Sequence, residues 1–259
     1  MTSLARGMAD VVLVTGGARR IGREICLRLS VEGFKIAIHY RNSEDDAKAL
    51  RAEIESAGGK ACTIRCDLND SDSVKGLIQN VSDKLGKVVG VVNNASCFEF
   101  DRIEEISEET WLEHMKVNAL APLLLIGGLS ESAVEGSWVV NILDFKVESP
   151  NADYLSYTSS RFAMYGLTSA LAVDLAPNVR VNSVAPGHIL TSDVLDENSL
   201  RRVQSESPLG FGPSSRDVAE SVVFLADSQT ITGQTIFVDS GERFRQMKHD
   251  PAFDRGEGK

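Results

Sequence analysis

A chain of 259 residues with 42% hydrophobic and 25% charged residues has the composition of one soluble α/β core. Its net charge of −10 argues against sequence-independent nucleic-acid binding, which needs clustered cations. The start of the chain lacks a secretory apolar segment, and the longest apolar stretch, near 119–129, is broken by Pro122 and Gly127-Gly128 and is too short to span a bilayer. Cys26, Cys62, Cys66 and Cys97 lack metal or dithiol spacing, so no metal site and a reducing cytoplasm are expected.

Val11 to Val14 reads as a buried strand. Thr15-Gly16-Gly17-Ala18-Arg19-Arg20-Ile21-Gly22 follows it, and apolar positions 21, 25 and 29 then repeat at helical spacing. A strand, a glycine turn and a helix start form a nucleotide phosphate site. Helix-start N–H groups face the pyrophosphate, and glycine lets the backbone approach it. The usual three-glycine form has glycine at position 20, where this chain has Arg20.

The second strand, 35–40, ends in His39-Tyr40 and runs on into Arg41-Asn42-Ser43, with no carboxylate before Glu44. A carboxylate there would hold an unmodified ribose and repel a 2′-phosphate. Arg20, Arg41 and Ser43, with Arg19 beside them, suit the phosphate instead, so NADPH is the expected cofactor. Solvated surface charge is the competing reading for Arg19 and Arg41.

Further strands are expected near 60–66, 88–92, 137–142, 179–184 and 235–238. Helices are expected near 21–32, 44–57, 71–85, 108–130, 154–176 and 215–226, and also near 192–206. The alternation implies one Rossmann-type doubly wound α/β domain: a parallel sheet of about seven strands with helices on both faces, spanning 1–241. A polar tail, 242–259, reads as either free or docked on a neighbouring subunit.

Functional groups in such a sheet gather at the carboxyl ends of strands. Asp67-Leu68 ends the third strand, either near the adenine or as a helix cap. Asn94-Ala95-Ser96 ends the fourth, Asp144 the fifth, and Pro186-Gly187-His188-Ile189 the sixth. Tyr157 and Arg161, four apart on a predicted helix, share a face.

With the glycine turn, Asp144, Asn118 and Tyr157 in place, the chain resembles the short-chain dehydrogenase/reductase superfamily from Val11 to about Gly241. It also resembles the pteridine reductase and dihydromonapterin reductase branch, through Arg20, the His39-Tyr40 strand end with Ser43, Asn93 to Phe98, and Asp144 where most of the superfamily has serine.

The resemblance implies NADPH-dependent reduction of a dihydropterin by a homotetramer. Tyr157 would donate the proton, Asp144 would relay it and Asn118 would support a water relay. Phe98 would stack on the pterin, its competing role being core packing, and Ser96 would bond the pterin or the cofactor phosphate. Pro186, Gly187 and Ile189 would hold the nicotinamide end. Arg161 replaces the superfamily's lysine. It keeps the charge but changes length and shape. Two alternatives stand beside the pterin reading: a ketone reductase and a weakly catalytic NADPH-binding regulator. The loop from His188 to Gly212 would choose the pterin side chain.

Overall fold

The computed structural model describes residues 10–191, 195–245 and 247–251. Seven parallel strands form one sheet in the order β3-β2-β1-β4-β5-β6-β7. They are β1 (Val11–Val14), β2 (Lys35–Tyr40), β3 (Ala61–Arg65), β4 (Val88–Asn93), β5 (Ser137–Ile142), β6 (Val179–Pro186) and β7 (Thr235–Val238). Each lies within two residues of its expected position. The central strands are valine-rich and buried on both faces, as a sheet covered on both sides requires.

Two apolar layers sandwich the sheet. One packs Ile25 and Leu29 of α1 (Arg20–Val31), Leu50 and Ile54 of α2 (Glu44–Ser56), and Val218 and Val222 of the last long helix (Ser215–Asp227) against Val12, Val14 and Ile38. The other packs Val74 of α3 (Ser71–Lys75), Leu77 and Val81 of α4 (Leu77–Leu85), and Leu125 and Leu129 of α6 (Ala121–Glu131) against Leu13, Val91 and Val139. Fully burying one such side chain contributes roughly 1.5–3 kcal/mol.

Helix continuity departs from the reading at two places, in the 71–85 and 108–130 segments. The 71–85 helix is divided at Gly76 into α3 and α4. The 108–130 helix is α5 (Glu108–Met115), a widened π-type turn over Lys116–Leu120, then α6. Periodicity cannot register that one extra residue per turn. The helix near 154–176 is α7 (Leu155–Asp174), entered through Tyr154 in a left-handed conformation at φ 61°.

The segment near 192–206 contains α8 (Glu197–Ser205), capped by the Asp196 side chain on Ser199 N–H. Residues 192–194 lie outside the described residues, and α9 (Ser215–Asp227) follows the loop. The described part of the C-terminal segment folds onto its own chain: Ala152 N–H donates to the Lys248 carbonyl at 3.0 Å, and Asp250 is buried. There Asp250 meets Lys146 in the interior. Residues 252–259 lie outside the described residues. No helix among those described is long and apolar enough to cross a membrane.

Candidate active site

A cleft of about 650 Å³ lies over the carboxyl ends of the strands. The glycine turn forms its floor and is clamped from both sides. From β2, His39 Nδ1 accepts the Gly16 N–H at 3.0 Å, so the proton sits on Nε2, which donates to the Cys66 carbonyl at 3.1 Å. Burial pushes the His39 imidazole down to about 4, keeping it neutral. From β4, Asn94 Nδ2 donates to the Thr15 carbonyl at 2.9 Å and the Gly16 carbonyl at 3.2 Å. Thr15 Oγ1 accepts the N–H groups of Asn94 and Ala95.

These clamps leave no room for a side chain at Gly16 or Gly22. Gly16 has φ 59°, and a Cβ on Gly22 would collide with the Gly16 carbonyl and lie 2.6 Å from Asn94 Nδ2. A cradle of glycines at the start of α1 suits a pyrophosphate. Arg20 adopts φ 54°, the conformation that the more common glycine would take freely. Its guanidinium crosses the cleft mouth to the Thr191 carbonyl at 2.9 Å.

Arg19 pairs with Asp46 on α2 at 2.6 Å, so Arg20 and Arg41 carry the cationic end of the cleft. Arg65, not foreseen and outside the cleft lining, stands beside them: it lies opposite Tyr40 on β3 and donates to the Arg41 carbonyl at 3.2 Å.

At the other end, Tyr157 on α7 donates its hydroxyl to Asp144 Oδ2 at 2.8 Å. Asp144 caps the turn after β5, where its Oδ1 accepts the Lys146 N–H at 2.9 Å. Arg161, one helical turn after Tyr157, places its guanidinium 4.9 Å from the Tyr157 ring centre and donates to the Ile142 carbonyl at 3.1 Å. Its Nε is buried with no hydrogen-bond partner. Burial pushes the Tyr157 phenol far above its usual range. Asp144 adds to that, and Arg161 opposes it. The phenol is thus held neutral, as a proton donor.

Phe98 forms an aromatic wall. It stacks on Tyr154 at 4.3 Å, meets Tyr157 edge-on at 4.7 Å and keeps 46% of its surface exposed. An aromatic kept this open beside a cleft offers a face for a flat ring.

The cleft brings together Gly16, Arg19, Arg20, Ile21, Gly22, His39, Arg41, Asp67, Leu68, Asn94, Ala95, Ser96, Phe98, Asp144, Tyr157, Arg161, Pro186, Gly187 and Ile189. Four expected residues lie outside its lining. Tyr40 is buried in the core, Asn42 is exposed, and Ser43 precedes α2 without a side-chain cap bond. Asn118 sits in the π-type turn, where its amide bonds both backbone groups of Cys97 and Ser160 Oγ, fixing the loop that carries Ser96 and Phe98.

Sequence reasoning passed over Cys97, Glu99, Glu113 and Leu190 in the lining. Glu99 and Glu113 belong to an acidic run, 99–113, that was the available signal. Burial, with Glu113 and Glu99, pushes the Cys97 thiol up to about 11, so it is not a reactive thiolate.

Residues 16–242 match the family model described as Enoyl-(Acyl carrier protein) reductase. The chain belongs to the short-chain dehydrogenase/reductase superfamily of oxidoreductases. A 3-oxoacyl-[acyl-carrier-protein] reductase FabG of Staphylococcus aureus is 30% identical over 241 residues, covering 90% of this chain and 98% of the relative. An uncharacterized oxidoreductase of Methylorubrum extorquens is also 30% identical, covering 90% of this chain and 97% of that protein. The crystal structure of FolM, alternative dihydrofolate reductase 1, from Brucella suis in complex with NADP superposes with a TM-score of 0.89 at 36% identity, covering 93% of this chain and 97% of that one. Superfamily membership accounts for the clamped glycine turn and for a tyrosine with a basic residue one turn later.

Proposed function

We propose that this short-chain reductase uses NADPH to reduce a dihydropterin, of the dihydromonapterin, dihydrobiopterin or dihydrofolate class, to its tetrahydro form. The observation that carries the reading is the Tyr157–Asp144 hydrogen bond beside the open face of Phe98.

The glycine cradle, the helix start and the Arg20–Arg41 end fit a phosphorylated dinucleotide. Arg20, Arg41 and the neighbouring Arg65 would hold the 2′-phosphate, and Pro186, Gly187 and Ile189 the nicotinamide end. When bound, the reduced nicotinamide supplies hydride. Reducing a ring C=N bond also needs a proton on nitrogen. Tyr157 holds that proton, Asp144 orients the phenol by accepting from it and would relay a replacement proton to it, and the Arg161 guanidinium, which opposes the rise in the phenol pKa, would steady the phenolate after donation. Phe98 would hold the flat ring against the nicotinamide. The Brucella FolM structure with NADP supports the cofactor, and its description as an alternative dihydrofolate reductase supports the substrate class.

The FabG relatives favour a second reading, reduction of an acyl-carrier-bound ketone. Asp144 weighs against it. A carboxylate at that place repels the oxyanion that develops on a ketone oxygen, whereas a hydroxyl would donate to it. The test is NADPH oxidation with dihydromonapterin, dihydrobiopterin, dihydrofolate and a panel of ketones. Turnover of a dihydropterin above the ketones supports the proposal, and turnover of ketones alone overturns it. Tight NADPH binding with no turnover of either class supports the regulatory reading.

We also infer a homotetramer in the cytoplasm. Exposed Leu112, Leu120, Phe162 and Val173 lie on or beside α5 and α7, Gly127 and Gly166 face open space, and the cysteines are free. Of the other small residues on these helices, Ala170 is exposed, Ala163 is half-buried and Ala119 is buried. A monomer by light scattering at micromolar concentration contradicts the assembly.

A further inference from the structure

Four side chains that the proposed chemistry does not use cluster at the cleft, three of them buried (Lys146, Glu242, Asp250) and His188 partly exposed in the lining. Lys146, on the turn after Asp144, is 2% exposed and donates from Nζ to Asp250 Oδ2 at 2.7 Å. The other oxygen of Asp250 faces His188 Nε2 at 3.7 Å. His188 Nδ1 bonds Glu242 Oε1 at 2.5 Å, and the His188 N–H donates to Glu242 Oε2 at 3.0 Å. The stretch carrying Asp250 is itself fixed, because its N–H donates to Asp153 Oδ2 at 2.7 Å.

Two paths run from this cluster into the site. Along the first, the Lys146 N–H holds Asp144 Oδ1, and its ammonium lies 4.7 Å from the Tyr154 ring, against which Phe98 stacks. Lys146 thus touches both the relay carboxylate and the back of the aromatic wall. Along the second, His188 lines the cleft next to Gly187, and its carbonyl accepts Gln204 Nε2 of α8 at 2.9 Å. A Cβ on Gly187 would lie 2.7 Å from Glu242 Oε2, so the turn at the nicotinamide end is packed against the same cluster.

The four groups balance as two cations and two anions only while His188 is protonated. Burial disfavours the imidazolium, but Asp250 and Glu242 together outweigh it and bring His188 to about 10. Buried ion sets of this kind add little net stability, because desolvation offsets attraction, yet losing one member strands the others.

We propose that Asp250 is a positioning residue. The C-terminal segment latches Lys146 and His188 and, through them, sets the Asp144 carboxylate, the Phe98 wall and the Gly187 turn for turnover. The proposal goes beyond the pterin reading and uses it only for the choice of assay substrate.

The test compares full-length wild type, Asp250→Asn and Asp250→Glu. Asp250→Asn should lower kcat at least tenfold while NADPH affinity stays within about threefold, and Asp250→Glu should recover part of the loss. NMR of the His188 imidazole gives a readout independent of turnover. The groups facing it are Glu242 and Asp250, with Lys146 behind Asp250 and the uncharged Phe145 ring 5.4 Å away. The wild-type imidazole should stay protonated between pH 6 and 9, and in Asp250→Asn it should titrate within that range.

An Asp250→Asn enzyme with wild-type kcat overturns the proposal, whatever its Tm. Should that variant not fold, Lys146→Gln is read by the same criteria. If the wild type reduces ketones and no dihydropterin, the pterin reading fails and the comparison is made on the ketone. If it reduces nothing, the His188 titration decides, and an unchanged titration in Asp250→Asn overturns the latch.

Discussion

Tyr157 and Asp144 are joined by a 2.8 Å hydrogen bond in which the phenol donates and the carboxylate accepts. Thirteen residues separate them in sequence. They meet because β5 ends and α7 makes its first turn at the same edge of the cleft.

Tyr157→Phe removes the donor and Asp144→Ala removes the relay. Each should lower turnover by about a hundred- to ten-thousand-fold, the usual scale of general acid catalysis, with little effect on NADPH affinity. Steady-state kinetics paired with NADPH fluorescence titration checks this. Turnover surviving both changes would place the proton source elsewhere.

Arg161→Lys should keep activity within about tenfold, roughly 1.4 kcal/mol of barrier. The guanidinium makes one bond to the Ile142 carbonyl and leaves Nε unpartnered, so a compact ammonium loses little. A rise of orders of magnitude from near zero would mark the natural protein as an impaired catalyst.

Arg20→Gly should trade cofactor choice for stability. The left-handed conformation costs a side-chain-bearing residue roughly 1–2 kcal/mol. Glycine's greater freedom in the unfolded chain offsets about 0.5–1 kcal/mol of the gain. The cofactor-free protein should gain up to about 1 kcal/mol, or about 2–4 °C in Tm. Preference for NADPH over NADH should fall at the same time. Calorimetry and paired cofactor titrations check the two halves, and an unchanged preference would show that Arg20 does not read the phosphate.

Stability should peak near pH 6.5, because two histidines depart from the ordinary imidazole value in opposite directions. Burial lowers His39 from 6.5 to about 4, so the unfolded chain binds the proton first on acidification. Its contribution is complete above pH 6.5 and is lost as pH falls toward 4, by about 3 kcal/mol at the limit. His188 is raised to about 10 by its two carboxylates against the opposing effect of burial. Its contribution is complete below pH 6.5 and is lost as pH rises toward 10. Urea unfolding from pH 4 to 10 measures both limbs. His39→Gln should flatten the acid limb, and His188→Gln the alkaline one.

The sheet and most of the cleft were legible in the sequence because they follow from local rules. Buried parallel strands are short valine-rich runs, and their carboxyl ends carry the polar residues. Gly16, Gly22 and Asp144 could be placed from strand ends, and Tyr157 and Arg161 from their helical spacing read together with the glycine turn, Asp144 and the family resemblance. Only the tertiary structure decided the rest. Tyr40 faces the core because of its register on β2, and Asn118 spends its amide on the Cys97 loop because the helix widens there. Lys146 and Asp250, 104 positions apart, meet only once the C-terminal segment has folded back. Strand and helix periodicity act over a few residues, whereas a buried ion pair is chosen by which charges the packed interior brings together.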